Sequence, residues 1–136
     1  MDAANVLEAF DAALSAHDPE AALALLAEDA EVRYEPPPPP PGRAVYRGRA
    51  EIRSLIVGLV AQGVKVQAEG YRAEGERALS QGRRVYAAGH EALGGNPVAL
   101  EGEALVRRGR IVALTFTFGP ESLARIRAAV AARQQG

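Results

Sequence analysis

VALEGEALVRRGRIVALTFTF, residues 98–118, decides the fold. Two runs, 98–107 and 110–118, are rich in apolar, β-branched and aromatic residues, and Arg108-Gly109 falls between them as a tight turn. The reading is a hairpin of two long strands. Side chains alternate between the faces of a strand, so Leu114, Phe116 and Phe118 share one face with Val112. Upstream, further strands are expected at 64–73, 76–80 and 83–93. Gly75-Glu76, Gln81-Gly82 and the loop Gly94-Gly95-Asn96-Pro97 separate them.

The first half of the chain has a helical period instead. Val6, Leu7, Phe10 and Leu14 recur at helical spacing and predict an amphipathic helix over 3–16. Asp18-Pro19-Glu20 restarts a helix, with Asp18 as cap and Pro19 in the first turn. Ala22, Leu25 and Leu26 form its apolar face, and it should stop near Asp29. Residues 31–35 alternate charged with apolar or aromatic side chains and predict a short strand. Pro36–Pro41 then ends it as a stiff rim loop without ladder donors. Val45 and Tyr46 suggest a brief edge strand. A third helix over 49–61 presents Ile52, Leu55, Ile56 and Leu59, with Gly63 as its left-handed cap. Gly119-Pro120-Glu121 opens a last helix carrying Leu123, Ile126 and Val130. Helices first and a meander of strands after them is an α+β pattern, and no linker divides residues 1–136.

Composition narrows the function. There is no cysteine, and the two histidines, His17 and His90, lie far apart, so no metal or cofactor is expected. The 16 basic and 17 acidic residues are mixed, which disfavours a nucleic-acid partner. No run spans a membrane, and the acidic start differs from a signal peptide, so a cytoplasmic location is expected. A strongly curved antiparallel sheet with a helix across its concave side does not close at its wide end. The small residues Ala87, Ala88 and Gly89 leave volume there, and a small apolar molecule is the expected partner.

Three stretches carry a resemblance: AEDAEVRYEP at 27–36, YRGRAEIRSLI at 46–56, and the strand opened by Gly109-Arg110-Ile111. In this order they resemble the nuclear transport factor 2-like superfamily, and within it the SnoaL-like polyketide cyclases and ketosteroid isomerases. The resemblance implies a cone-shaped, cystatin-like roll around the N-terminal helices, with an internal pocket and a homodimer through the sheet face. It also implies acid–base chemistry on a carbonyl compound. On the isomerase pattern, Glu101 matches the late-strand acid, and an apolar setting would keep such an acid protonated. The general base falls on Tyr34 or Glu35, since a one-residue slip exchanges the faces; Tyr34 shares the face of apolar Val32. Phe10 stands where that pattern has a tyrosine, which counts against steroid isomerisation and places Phe10 in the apolar wall.

The hairpin before Glu101 has two registers. A four-residue loop, 94–97, sets His90 opposite Glu101, a pairing suited to general acid–base work; a five-residue loop sets Glu91 there instead. His17 reads as a surface residue at a helix end. Two alternatives remain. One is a non-catalytic carrier or dimeric interaction module. The other is an epoxide hydrolase-like enzyme, disfavoured because 114–118 carries no acid, although a pair such as Glu69 with Glu101 stays open.

Overall fold

The computed structural model describes residues 2–38, 42–93 and 97–135. Helix α1, Ala3–Ser15, begins where the Asp2 side chain accepts from the Asn5 N–H at 2.9 Å. Helix α2, Pro19–Ala24, is capped by Asp18, which accepts from the Ala21 N–H at 3.1 Å. It stops five residues short of Asp29. Strand β1, Leu26–Glu35, takes up the rest, with Leu26, Ala30, Val32 and Tyr34 turned toward the helices and Glu28 and Asp29 exposed. Strand β2, Val45–Arg47, leads into α3, Gly48–Ala61. Gly63, at φ 70°, ends that helix, and the Val64 N–H reaches back to the Leu59 carbonyl at 3.1 Å.

The expected strand over 64–73 is two strands, β3, Lys65–Gln67, and β4, Gly70–Glu74, because they pair with different partners. Strand β5, Arg77–Gln81, follows a tight turn. Strand β6 covers only Arg84–Tyr86, and the chain then coils into a 3-10 helix, Ala88–Leu93, where a continuous strand to 93 was expected. Strands β7, Val98–Arg107, and β8, Arg110–Phe118, form the hairpin read from the sequence. Helix α4, Pro120–Gln135, closes the chain.

The sheet runs β2-β1-β8-β7-β5-β4, with β6 pairing to β7 beyond β5, and β3 pairing to β6. All these pairs are antiparallel except β1 with β8, which is parallel. Strand β7 therefore faces two strands in succession along one edge. Between the pairs Leu79–Glu103 and Arg84–Ala99, the four residues 80–83 oppose the three residues 100–102, so the ladder opens and the sheet bends sharply. A second bulge lies in β8. Val106 pairs with Ile111 but Leu105 with Ala113, so Val112 is an extra residue. Hence Val112 does not share the inward face of Leu114, Phe116 and Phe118 as expected; Ile111 does, and it is fully buried.

Helix α1 lies across β3, β4, β5 and β7. Val6, Leu7, Leu23, Leu26, Val32, Ile52, Ile56 and Leu114 fill the space between helices and sheet, each at most 1% exposed. Burial of each such side chain is worth about 1.5–3 kcal/mol. No helix among the described residues is long and apolar enough to cross a membrane.

Candidate functional site

A cavity of about 270 Å³ remains between the helices and the concave face of the sheet. Phe10 and Leu14 of α1, Ile52, Leu55, Ile56 and Leu59 of α3, and Leu100 and Phe116 of the sheet supply apolar walls. Ile126 of α4 lines it as well, and the Ser122 hydroxyl, accepting from the Ala99 N–H at 2.9 Å, ties that helix to β7. Pro38, Gly42 and Arg43 lie on its rim. Of the proline run, Pro39–Pro41 fall outside the described residues.

Tyr34 faces this cavity, on the face it shares with Val32, and Glu35 is exposed on the opposite side of β1. The Tyr34 ring packs 5.4 Å from Phe116, 6.1 Å from Phe118 and, edge to face, 6.2 Å from Tyr46. Burial raises its hydroxyl pKa above the ordinary tyrosine value, an effect the Arg83 cation partly opposes. The group therefore keeps its proton at neutral pH.

His90 also lines the cavity, from the 3-10 helix. Burial lowers its pKa, with the Val85 backbone opposing, and its Nδ1 is enclosed without a hydrogen-bond partner. It does not face Glu101. The register Arg84–Ala99 and Val85–Val98 makes the whole stretch from Ala87 to Pro97 a connection, far longer than either loop considered; its residues 94–96 lie outside the described set. Ala87, Ala88, Gly89 and Glu91 belong to this connection and do not line the cavity; Glu91 is exposed.

Glu101 is not in the cavity either. Leu100, Gly102 and Ala104 take the inward positions of β7, and the Glu101 carboxylate turns into the gap in the ladder. There it accepts from the Ser80 hydroxyl at 2.5 Å and from the Arg83 backbone N–H at 2.8 Å. The Ser80 oxygen in turn accepts from the Gly102 N–H at 2.8 Å. Glu101 thus replaces main-chain partners lost at the bulge, which is a structural role. Glu69 is exposed with its side chain over Gly82, so the Glu69–Glu101 pair is not formed. Phe10, Phe116 and Phe118 line the cavity as expected, whereas Leu114 lies beneath it in the core. His17 is exposed at the end of α1, as read, with its Nε2 2.8 Å from the Val64 carbonyl.

The polar centre that sequence reading missed is Asp11 with Arg83. Their side chains are 3% and 1% exposed. Arg83 donates from Nη2 to Asp11 Oδ1 at 2.8 Å and from Nε to Oδ2 at 3.0 Å, the two-point geometry guanidinium and carboxylate favour. Arg83 Nη1 donates to the Leu100 carbonyl at 2.9 Å, and its guanidinium lies 4.4 Å over the Phe116 ring. The Tyr71 hydroxyl donates to Asp11 Oδ2 at 2.7 Å. Burial works against the Arg83 charge, but Asp11 outweighs it and the pKa is raised. Burial first, and then the Asp11 charge, raise the pKa of Tyr71. One signal was present in the sequence. Asp11 follows Leu7 by four residues, inside the apolar arc of α1, where a carboxylate needs a buried cation.

Among the described residues no group of three or more His, Cys, Asp or Glu side chains could hold a metal ion, and the lining holds no carboxylate. Arg83 has no second acidic partner, since Glu101 meets only its backbone N–H. An Asp-Arg-Asp cluster for opening epoxides is therefore not assembled here.

The profile of the SnoaL-like domain family matches residues 6–132. No curated relative matches the chain by sequence. Among solved structures, a nuclear transport factor 2-like protein of unknown function from Cytophaga hutchinsonii is 18% identical with a TM-score of 0.70, over 91% of this chain and 96% of that one. A candidate polyketide cyclase from Sinorhizobium meliloti is 23% identical with a TM-score of 0.66, over 82% and 93%. An LEH-like epoxide hydrolase from M. tuberculosis is 20% identical with a TM-score of 0.69, over 96% of each chain. At these identities the likeness is one of fold.

Proposed function

The chain belongs to the SnoaL-like domain family, and we propose that its cavity takes a compact, mostly apolar carbonyl compound and moves a proton on it using side chains alone. Tyr34 donates its hydroxyl hydrogen to the carbonyl oxygen. Neutral His90 takes a proton from the carbon beside the carbonyl and returns it elsewhere on the molecule. The observation that carries this reading is a tyrosine and a histidine, both neutral at neutral pH, on one otherwise apolar cavity. The enclosed His90 Nδ1 has no hydrogen-bond partner of its own. At about 270 Å³ the cavity lies near the small end of ligand pockets, roughly 300–1,000 Å³, which favours a one- or two-ring molecule.

Exchange of the α-protons of 2-tetralone in heavy water, followed by NMR, tests the reading. The expected result is exchange above the buffer rate, reduced about 10²-fold or more in His90→Phe and also slowed in Tyr34→Phe. A His90→Phe variant that exchanges as fast as the parent would refute the histidine role. A second reading, a carrier without chemistry, is favoured by the lack of a carboxylate on the lining. Saturable binding with no exchange above buffer would select it.

A further inference from the structure

We infer that the Asp11–Arg83 pair makes the cavity selective for electrically neutral ligands bearing an acceptor oxygen, and excludes their carboxylate counterparts. The inference rests on the proposed ligand pocket and names its substrate class. Two arginines reach the lining, and neither is a free cation. Arg43 lies at the rim, exposed and paired to Glu51 at 2.7 Å. Arg83 lies at the floor with its charge matched by Asp11 through two hydrogen bonds. The pair is oriented, however. Arg83 lines the cavity and Asp11 does not, so the positive end of a net-neutral pair is turned toward the ligand.

The order of groups follows from the packing. Asp11 holds Arg83, Arg83 lies 4.4 Å over the Phe116 ring, and Phe116 lies 5.4 Å from the Tyr34 ring. A carbonyl oxygen held by Tyr34 thus meets a dipole that stabilises partial negative charge. A carboxylate must shed its water shell against apolar walls, and it finds no unpaired cation to compensate. The same dipole favours charge that develops on the carbonyl oxygen as a proton leaves the neighbouring carbon. Ground-state anions are refused, and transient ones are stabilised.

The test compares 2-acetylnaphthalene with 2-naphthoate, two probes of similar shape that differ in charge, by titration calorimetry. The parent protein should bind the ketone about tenfold or more tighter than the carboxylate. Asp11→Asn keeps an acceptor for Arg83 and Tyr71 but removes the countercharge, and should move the ratio about tenfold toward the carboxylate. Equal or tighter binding of 2-naphthoate by the parent protein overturns the inference and leaves the pocket standing. So does an unchanged ratio in a folded Asp11→Asn variant. Binding of neither probe overturns the pocket reading and the selectivity with it. If Asp11→Asn does not fold, the parent ratio decides alone.

Discussion

Asp11→Ala removes a carboxylate that receives three hydrogen bonds, at 2.7, 2.8 and 3.0 Å, in a side chain only 3% exposed. What remains is a guanidinium 1% exposed, holding the Leu100 carbonyl and the face of Phe116 but no anion. Three bonds to charged groups at roughly 1.5–3 kcal/mol each would overstate the loss, since they share one carboxylate and are not additive. Breaking one partner of a buried pair costs about 3–5 kcal/mol, and that is the expected magnitude. Against a total of about 5–15 kcal/mol for a domain, the variant should still fold. Its midpoint should drop by about 12–20 °C, taking about 4 °C per kcal/mol at this size. Urea unfolding followed by circular dichroism, together with Arg83→Met and the double variant Asp11→Ala/Arg83→Met, completes the cycle. The double variant should lie well above the sum of the singles, because neither charge is left alone. Additive singles, or an Asp11→Ala loss under about 1 kcal/mol, would refute the view that these two side chains form one buried unit.

Further outcomes follow from the other polar groups. The unfolded chain binds more protons than the native one near the lowered His90 pKa, so stability should fall as pH drops below about 6.5 and level off above it. Denaturant melts across pH 5–8 of the parent and of His90→Phe check this, the variant losing that part of the slope. The same protonation should switch off tetralone exchange on the acid side. Glu101→Ala should destabilise by about 1–3 kcal/mol, leaving the Ser80 hydroxyl and the Arg83 N–H unmatched in the gap of the sheet. Its exchange activity, measured per folded molecule, should stay near the parent level.

The fold was legible where a local rule sufficed. Asp18 and Pro19, Gly63, and the period of Val6, Leu7, Phe10 and Leu14 each report a structure that neighbours in sequence decide. The hairpin 98–118 was legible for the same reason, and so was the inward direction of Tyr34, which follows from the alternation that buries Val32. What failed were decisions made by distant partners. Leu26 to Asp29 look helical alone, yet they join β1, whose Leu26 pairs with Ile111 and whose Glu31 to Glu35 pair with Ala113 to Thr117 of β8. Residues 87–93 look like strand, but the registers Val85–Val98 and Lys65–Tyr86 carry them past the starts of both β7 and β3, where neither neighbour offers a partner. The site suffered most from this. Glu101 matched a motif position, but the bulge opposite it supplied two donors that drew the carboxylate out of the interior. Arg83 gave no local sign at all, since only the approach of α1 across β5 and β7 makes it a buried cation.

The extra residue in β8 has a consequence for how this chain tolerates insertions and deletions. Val112 acts like a shift in reading frame. It lets Ile111 and, three places on, Leu114 face the same way, and so places Phe116 and Phe118 inside. Deleting Val112 would leave a regular strand that still presents Leu114, Phe116 and Phe118 inward. Deleting Thr115, one turn of the pleat further along, would swing both phenylalanines to the outer face and Thr117 into the cavity. Of two deletions three residues apart, the first should be mild and the second should abolish the aromatic wall around Tyr34. The length of β8 is therefore constrained on one side of its bulge and relaxed at the bulge itself.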